Sequence, residues 1–367
     1  MQDLTLIVGG GPAGASCAWK LASAGIPCIL IDKASFPRDK VCGGLLSARA
    51  AEILITSGIL SEYELEDLTL KKHRTVSLWN RDELLRTYTS HRAPVRIVSR
   101  RQFDSVLLDK AASAGASVIT GDAVVSIESM SLTTSSGKNY SCSNLVGADG
   151  CDSFVRRLIS GRGSKGKGMG LEYFIPLTDL NEKPEDLQIH FGYIPYGYIW
   201  VFPDGEKVNI GAGAVGSPAS PFDIAGALNG FLKDRGISCD KYQLHGAPIP
   251  SLVLERNLGK GNMYLAGDAA GLVDHVSGEG IGHAVESGFL VSDCIISGGD
   301  RRTVLKNKNC CIDIVRQSML YRHLLFSPFI RGAAMMRLRD NEEFARGYWN
   351  IISGTESYNE MFRRLLT

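Results

Sequence analysis

Apolar residues in this chain come in short runs, each closed by glycine or an acid, and those runs define the elements. Residues 4–8 read as a buried strand, and Gly9-Gly10-Gly11-Pro12-Ala13-Gly14 leads from it into a helix reaching about Ala24. A second strand, 28–31, ends on Asp32. Residues 99–115 have helical spacing, and three short β segments follow between 117 and 134. Residues 145–150 return as a buried strand and turn. From about 168 to 215 the pattern is strand-rich, punctuated by Gly, Pro and aromatics. A last apolar strand at 264–266 precedes a helix over 281–296, and 300–367 reads as helical and basic, with methionines and aromatics. Strands and helices interleave, so the expected class is α/β. A Rossmann-type unit would be assembled from 1–70, 95–160 and 255–300. A β-sheet domain would come from 71–94 and 161–254, and a helical C-terminal region from 301–367.

Composition narrows the class. Of 367 residues, 44% are hydrophobic and 22% charged, the balance of a soluble globular chain long enough for two domains. Forty basic against 39 acidic side chains leave a net charge of +1, which gives no reason to invoke nucleic acid. No apolar run reaches the ~18 residues of a spanning helix. The start, Met1-Gln2-Asp3, has no basic region or cleavage site, so no export signal is expected. Nine cysteines are scattered without a C-x-x-C pair. That pattern predicts reduced thiols in the cytoplasm and no metal site.

The glycine loops carry the chemistry. Gly9-x-Gly11-x-x-Gly14 lies between strand and helix, with Ala13 inside it and Asp32 eighteen residues beyond Gly14. Such glycines let backbone approach a pyrophosphate, the helix start faces the phosphates, and the acid binds ribose hydroxyls. That pattern admits FAD or NAD. Two further segments select FAD. Gly267-Asp268-Ala269-Ala270-Gly271 puts an acid at a strand end, in reach of a ribityl or pyrophosphate group. Ser277-Gly278-Glu279-Gly280-Ile281-Gly282 opens a helix whose positive end can stabilise charge on a reduced flavin.

Several stretches together resemble the geranylgeranyl reductase family, within the wider para-hydroxybenzoate-hydroxylase-like flavoproteins. Phe36-Pro37-Arg38-Asp39-Lys40-Val41-Cys42-Gly43-Gly44 resembles its P-R-x-K-x-C-G-G segment, and Arg100-x-x-Phe103-Asp104 with Leu107 its R-x-x-F-D-x-x-L helix. Gly147-Ala148-Asp149-Gly150 with Ser153, Val155 and Arg156 is similar to G-A-D-G-x-x-S-x-V-R. Tyr198-x-Trp200-x-Phe202-Pro203 with Asn209-x-Gly211-x-Gly213 is similar to the reductases' Y-x-W-x-F-P signature. The likeness covers about residues 4–300. Asp274-His275-Val276 departs from it, standing where many members have proline. The resemblance implies Arg38, Arg100, Asp149, Asp268, Gly280 and Ile281 as further cofactor-binding residues, with Lys33, Cys42, Gly43 and Gly44 beside them.

The implied reaction is reduction of a prenyl C=C bond on a prenylated lipid or prenyl diphosphate. Flavin hydride would be joined by a proton from Cys42, His275 or Glu279. A polyprenyl chain needs a long apolar pocket, and Tyr193, Tyr196, Tyr198, Trp200 and Phe202 supply aromatic strand positions, the last three on one face. An external donor, NAD(P)H or reduced ferredoxin, would reduce the flavin. Residues 322–331 with Met335 and Met336 can rest on a membrane surface, pack as a cap, or close over a lipid. An aromatic monooxygenase or halogenase would share the FAD segments but consume oxygen, and a non-catalytic flavoprotein would show no substrate-dependent reoxidation.

Overall fold

The computed structural model describes residues 4–160, 167–214, 222–250, 253–298, 310–327 and 329–366. The readings made at residues 1–3, Val215, 300–309, Pro328 and Thr367 lie outside that range. A six-stranded sheet runs in the order Gly259–Lys260, Met263–Leu265, Asn144–Gly147, Thr5–Val8, Cys28–Asp32 and Ser117–Thr120. Every pairing in it is parallel except that of Gly259–Lys260. Its strands are continuous apolar runs because helices cover them. Helix Pro12–Ser23 packs against Ile281–Ile296 and Arg100–Ser113.

The second layer is a seven-stranded sheet, ordered His245–Pro250, Lys167–Pro176, Lys207–Ala214, Gly197–Pro203, Leu187–Phe191, Thr75–Asn80 and Glu83–Thr89. One face packs Ile199, Val201 and Ile210 on Leu228 and Phe231 of helix Ile224–Lys233. The other packs Phe191 and Phe202 on the C-terminal helices Cys311–Phe326, Arg331–Asp340, Glu342–Ile352 and Tyr358–Leu366. Thr69–His73, grouped with the large sheet from sequence only from residue 71 onward, instead pairs with Val95–Val98 in a separate three-stranded sheet. Among the described residues four helices were not read from the sequence, Glu62–Asp67 and Phe154–Ser160 and two longer ones. Of the longer two, one is Ile224–Lys233, and the other is Ala48–Thr56, alanine-rich and capped by Ser47, which accepts the Ala50 N–H.

Helix Tyr358–Leu366 is tied to the loop before helix Ile281–Ile296 by one buried contact. Tyr358, 1% exposed, donates its hydroxyl to Asp274 Oδ1 at 2.7 Å. The same oxygen accepts the Val276 and Ser277 N–H groups, both at 2.8 Å. Tyr358→Phe keeps the ring and removes the bond. It should cost about 1–3 kcal/mol in urea unfolding, the usual worth of a hydrogen bond to a charged acceptor, and expose helix Tyr358–Leu366 to limited proteolysis.

Candidate functional site

Parallel pairing brings three loops to one end of the six-stranded sheet. Val8 pairs with Gly147 and Gly147 with Leu265, so the turns at 9–14, 148–153 and 266–271 leave neighbouring strand ends. Gly9 has φ +106°, and a Cβ there would lie 2.2 Å from the Ala148 carbonyl; at Gly14 one would lie 1.9 Å from the Gly9 carbonyl. Side chains at these positions would force the loops apart. At Gly11 the space is open, with Arg38 Nη2 the nearest group at 3.6 Å, and the helix begins there without a capping side chain. These features fit a pyrophosphate against the helix start.

The acids around this loop do more bracing than their spacing suggested. Asp32 accepts the Gly10 N–H at 2.6 Å and the Ala34 N–H at 2.8 Å, leaving only second lone pairs for a ribose. Lys33 is exposed. Asp149 Oδ2 caps the next helix through the Phe154 N–H at 2.6 Å, while its Oδ1 is buried without a partner. Arg100 chelates Asp104 at 2.8 and 2.7 Å, and Arg38 reaches the same carboxylate at 3.3 Å. Burial alone would lower Arg100, but the ion pair outweighs it and holds the guanidinium above its ordinary range. Burial raises Asp268, and Lys40, Arg100 and Arg156 pull it back. Arg156, quoted in the motif but given no role, donates to the Asp268 and Ala269 carbonyls at 3.1 and 3.0 Å and so carries that turn.

The Cys42-Gly43-Gly44 turn lies against the aromatic strand. A Cβ on Gly43 would meet Phe202 Cδ2 at 2.9 Å and Trp200 Nε1 at 3.3 Å. Gly44 donates its N–H to Cys42 Sγ at 3.4 Å, and the Arg100 guanidinium is beside the thiol. Trp200 lies flat on the next strand: a Cβ on Gly211 would be 2.2 Å from its Cζ2, and its Nε1–H donates to Asn209. The Asn209-x-Gly211 motif is thus a berth for this indole. At the strand's other end Tyr198 donates its hydroxyl to the Ser277 carbonyl at 2.6 Å. Tyr193, grouped with these aromatics from sequence, sits on the opposite face against Phe231 and bonds Asp82 at 2.8 Å. It lies in the turn between strands Leu187–Phe191 and Gly197–Pro203, where strand alternation does not apply. Glu172, which sequence reading missed, accepts the Cys42 N–H at 2.7 Å.

The three candidate proton donors differ sharply. His275 is 1% exposed, with Nδ1 bonded to the Val273 carbonyl at 3.0 Å. Burial and then Arg322 push it down to about 4, so at neutral pH it is an uncharged imidazole bracing its own loop. Glu279 caps helix Ile281–Ile296 by accepting the Gly282 N–H at 2.8 Å, and its Oε2 has no hydrogen-bond partner. Burial pushes its carboxyl up to about 7, against the smaller pull of the Gly282 N–H and the nearby Ser47 hydroxyl. It faces a small cleft lined also by Ser47, Arg49, Asp274, His283 and Tyr358. Cys42 belongs to the turn that touches Trp200 and Phe202, while Glu279 acts on Tyr198 at the strand's other end.

A second small cleft, nearly all apolar, shares Ile351 and Tyr358 with the first. Val276, Leu324, Leu325, Phe344, Tyr348 and Met361 also border it, whereas Trp200 and Phe202 do not. Arg322, read from sequence as part of a basic surface, is 8% exposed and packs over Tyr196 at 5.5 Å. No helix among the described residues is long and apolar enough to cross a membrane.

Comparison with known proteins agrees with this layout. A model for an FAD binding domain matches residues 4–184, and one for a geranylgeranyl reductase catalytic domain matches residues 169–245. The chain is 30% identical over 317 residues to a menaquinone reductase of Mycolicibacterium smegmatis, covering 80% of this chain and 76% of that one. It is 30% identical over 315 residues to a geranylgeranyl diphosphate reductase of Rhodobacter capsulatus, covering 81% and 76%. The fold matches that of a geranylgeranyl bacteriochlorophyll reductase-like protein from Thermoplasma acidophilum, with a TM-score of 0.73 at 20% identity over 98% of each chain.

The Glu279 shift has a consequence for stability. A carboxyl whose folded pKa of about 7 exceeds its unfolded value near 4.5 holds its proton more tightly when folded. Stability from this group is therefore full below the unfolded value and is lost as pH rises to about 7. Glu279→Gln keeps the acceptor for the Gly282 N–H and removes the titration. Thermal denaturation of flavin-free protein should show the variant more stable than the parent at pH 8, by about 1–3 kcal/mol, with the gap closing below pH 5.

Proposed function

The chain belongs to the geranylgeranyl reductase family of FAD-binding flavoproteins, and from that premise we propose that it saturates C=C bonds of a prenyl chain carried on a lipid or a diphosphate. The observation that carries this reading is the Cys42 turn, packed through Gly43 against Trp200 and Phe202 with Arg100 beside the thiol. Bound FAD, once reduced by an external donor such as NAD(P)H or reduced ferredoxin, supplies the hydride.

The chain's own residues do the remainder. An isolated alkene has no oxygen to take up charge, so its second carbon needs a proton as the first receives hydride. The Cys42 thiol hands over that proton, and Arg100 stabilises the thiolate left behind until solvent restores it. Trp200 and Phe202 present an apolar face that keeps water from the alkene, and Tyr198 holds the Ser277–Gly278 turn at its end. Backbone at Gly280 and Ile281 opens helix Ile281–Ile296, whose positive end favours negative charge on the flavin. Gly9, Gly11, Ala13, Gly14, Asp32, Arg38, Asp149 and Asp268 hold the dinucleotide, and Lys33 stands at its rim. Glu279, carrying a proton part of the time at neutral pH, is the reserve donor, and His275 braces the loop.

In this reading the far end of the prenyl chain enters at the apolar cleft, whose walls part to admit it. Support for loading from a membrane surface comes from the residues around it: Leu324 borders the cleft and is 36% exposed, Leu320 one turn away is 67% exposed, and Phe329 is 95% exposed. In this reading a cytoplasmic protein touches the membrane peripherally.

Two experiments test these assignments. Cys42→Ala should slow reoxidation of reduced enzyme by a prenyl substrate, followed anaerobically, on the order of 10²-fold. FAD content, about one per chain, and reduction by the donor should not change. Both half-reactions at parental rates would move the proton to Glu279 or water. In the second, Phe329→Asp should lower co-sedimentation with phosphatidylcholine–phosphatidylglycerol vesicles about tenfold, since one large apolar side chain contributes roughly 1.5–3 kcal/mol. Turnover of detergent-dispersed substrate should be retained, and vesicle binding equal to the parent would remove the membrane reading.

A further inference from the structure

Glu172 takes no part in the reaction as drawn, yet it is the buried acid bonded to the Cys42 turn. It lies in strand Lys167–Pro176 and is 1% exposed. Oε1 accepts the Cys42 N–H at 2.7 Å, while Oε2 makes no hydrogen bond. Burial raises its carboxyl, and the two strongest opposing influences are the Cys42 N–H and the Asn209 side chain on the adjoining strand. Asn209 in turn accepts the Trp200 Nε1–H. Trp200 closes the circuit, because its Nε1 stands 3.3 Å from where a Cβ on Gly43 would be. A buried carboxyl is a costly filler between two strands, where an apolar residue of similar size would pack more cheaply. A carboxyl is suited instead to holding a backbone N–H in a short, directional bond.

We propose that Glu172 is the positioning residue of the Cys42 turn: by its bond to the Cys42 amide, it fixes the thiol relative to the Trp200 face on which the alkene rests. This inference rests on the reading of Cys42 as proton donor, and the two fail in different measurements. The effect of Glu172 reaches the chemistry through the turn, so it should alter kcat more than KM.

The test compares Glu172→Ala and Glu172→Gln with the parent holoenzyme. Glutamine keeps an acceptor at Oε1 without the charge. In Glu172→Ala, alkylation of Cys42 by iodoacetamide, followed on the peptide that carries it, should rise on the order of tenfold as the turn loosens. The kcat for a prenyl substrate should fall by a similar factor, with KM and FAD content held, that being the kinetic equivalent of one charge-assisted hydrogen bond. Glu172→Gln should bring both back to within about threefold of the parent, the cost of exchanging that bond for a neutral one. Parental alkylation and kcat in Glu172→Ala would overturn the proposal. Faster alkylation with unchanged turnover would uphold the positioning of the turn and overturn the role of the thiol. Should Glu172→Ala fail to fold, the parent decides alone. Its Cys42 amide should exchange hydrogen on the order of 10²-fold more slowly than an open turn, and exchange at the open-turn rate overturns the proposal.

Discussion

The parallel register of three short strands is the constraint on which the site depends. Thr5–Val8 lies beside Asn144–Gly147, which lies beside Met263–Leu265, and each ends at the same edge of the sheet. Nothing in these strands is chemically active. Their alignment turns three glycine loops, far apart in sequence, into neighbours. A one-residue slip between strands would turn side chains to the wrong face of the sheet and move the loops apart. Val8, Leu6 and Ile7 are buried to fix that register, and Arg156 reinforces it from outside by gripping the carbonyls of the last turn.

Local signals were legible in the sequence; convergence was not. The boundaries of the first strand, its helix and helix Ile281–Ile296 follow from apolar runs stopped by glycine, because those signals act within a few residues. The sequence also put Tyr198, Trp200 and Phe202 on one face by strand parity, but Tyr193 lies in the turn before that strand, where parity gives no guide. The apolar cleft could not be read, since its walls come from Val276, Leu324, Tyr348 and Met361, which share no local pattern. Glu172 left one faint signal, a single acid inside Gly170-Leu171-Glu172-Tyr173-Phe174. Asp32 shows the limit of motif reasoning: the spacing assigned it to ribose, and the fold spends its first lone pairs on two backbone amides.

Buried acids recur around the site, and their environments separate their roles. Asp104 is matched by two guanidiniums and serves to orient Arg38 and Arg100. Asp274 gathers two backbone amides and a tyrosine, so its carboxylate acts as a knot between loop and terminal helix. Glu279 has a single amide on one oxygen and an open partner on the other, which leaves it able to change protonation. Residue type alone would group the three. The number of donors facing each one distinguishes scaffold from chemistry.

The order of the six-stranded sheet bears on how a nascent chain reaches this structure. Strand Asn144–Gly147 has one edge closed by Thr5–Val8, but its other edge waits for Met263–Leu265, and five of the seven strands of the second layer are synthesised in between. Until then a short apolar edge is open to pairing with any other strand, the hazard that leads unfinished sheets to aggregate. The intervening layer must therefore fold without disturbing a half-built neighbour. Expression at lower temperature or slower translation should consequently favour yield more than changes to the surface of the finished molecule.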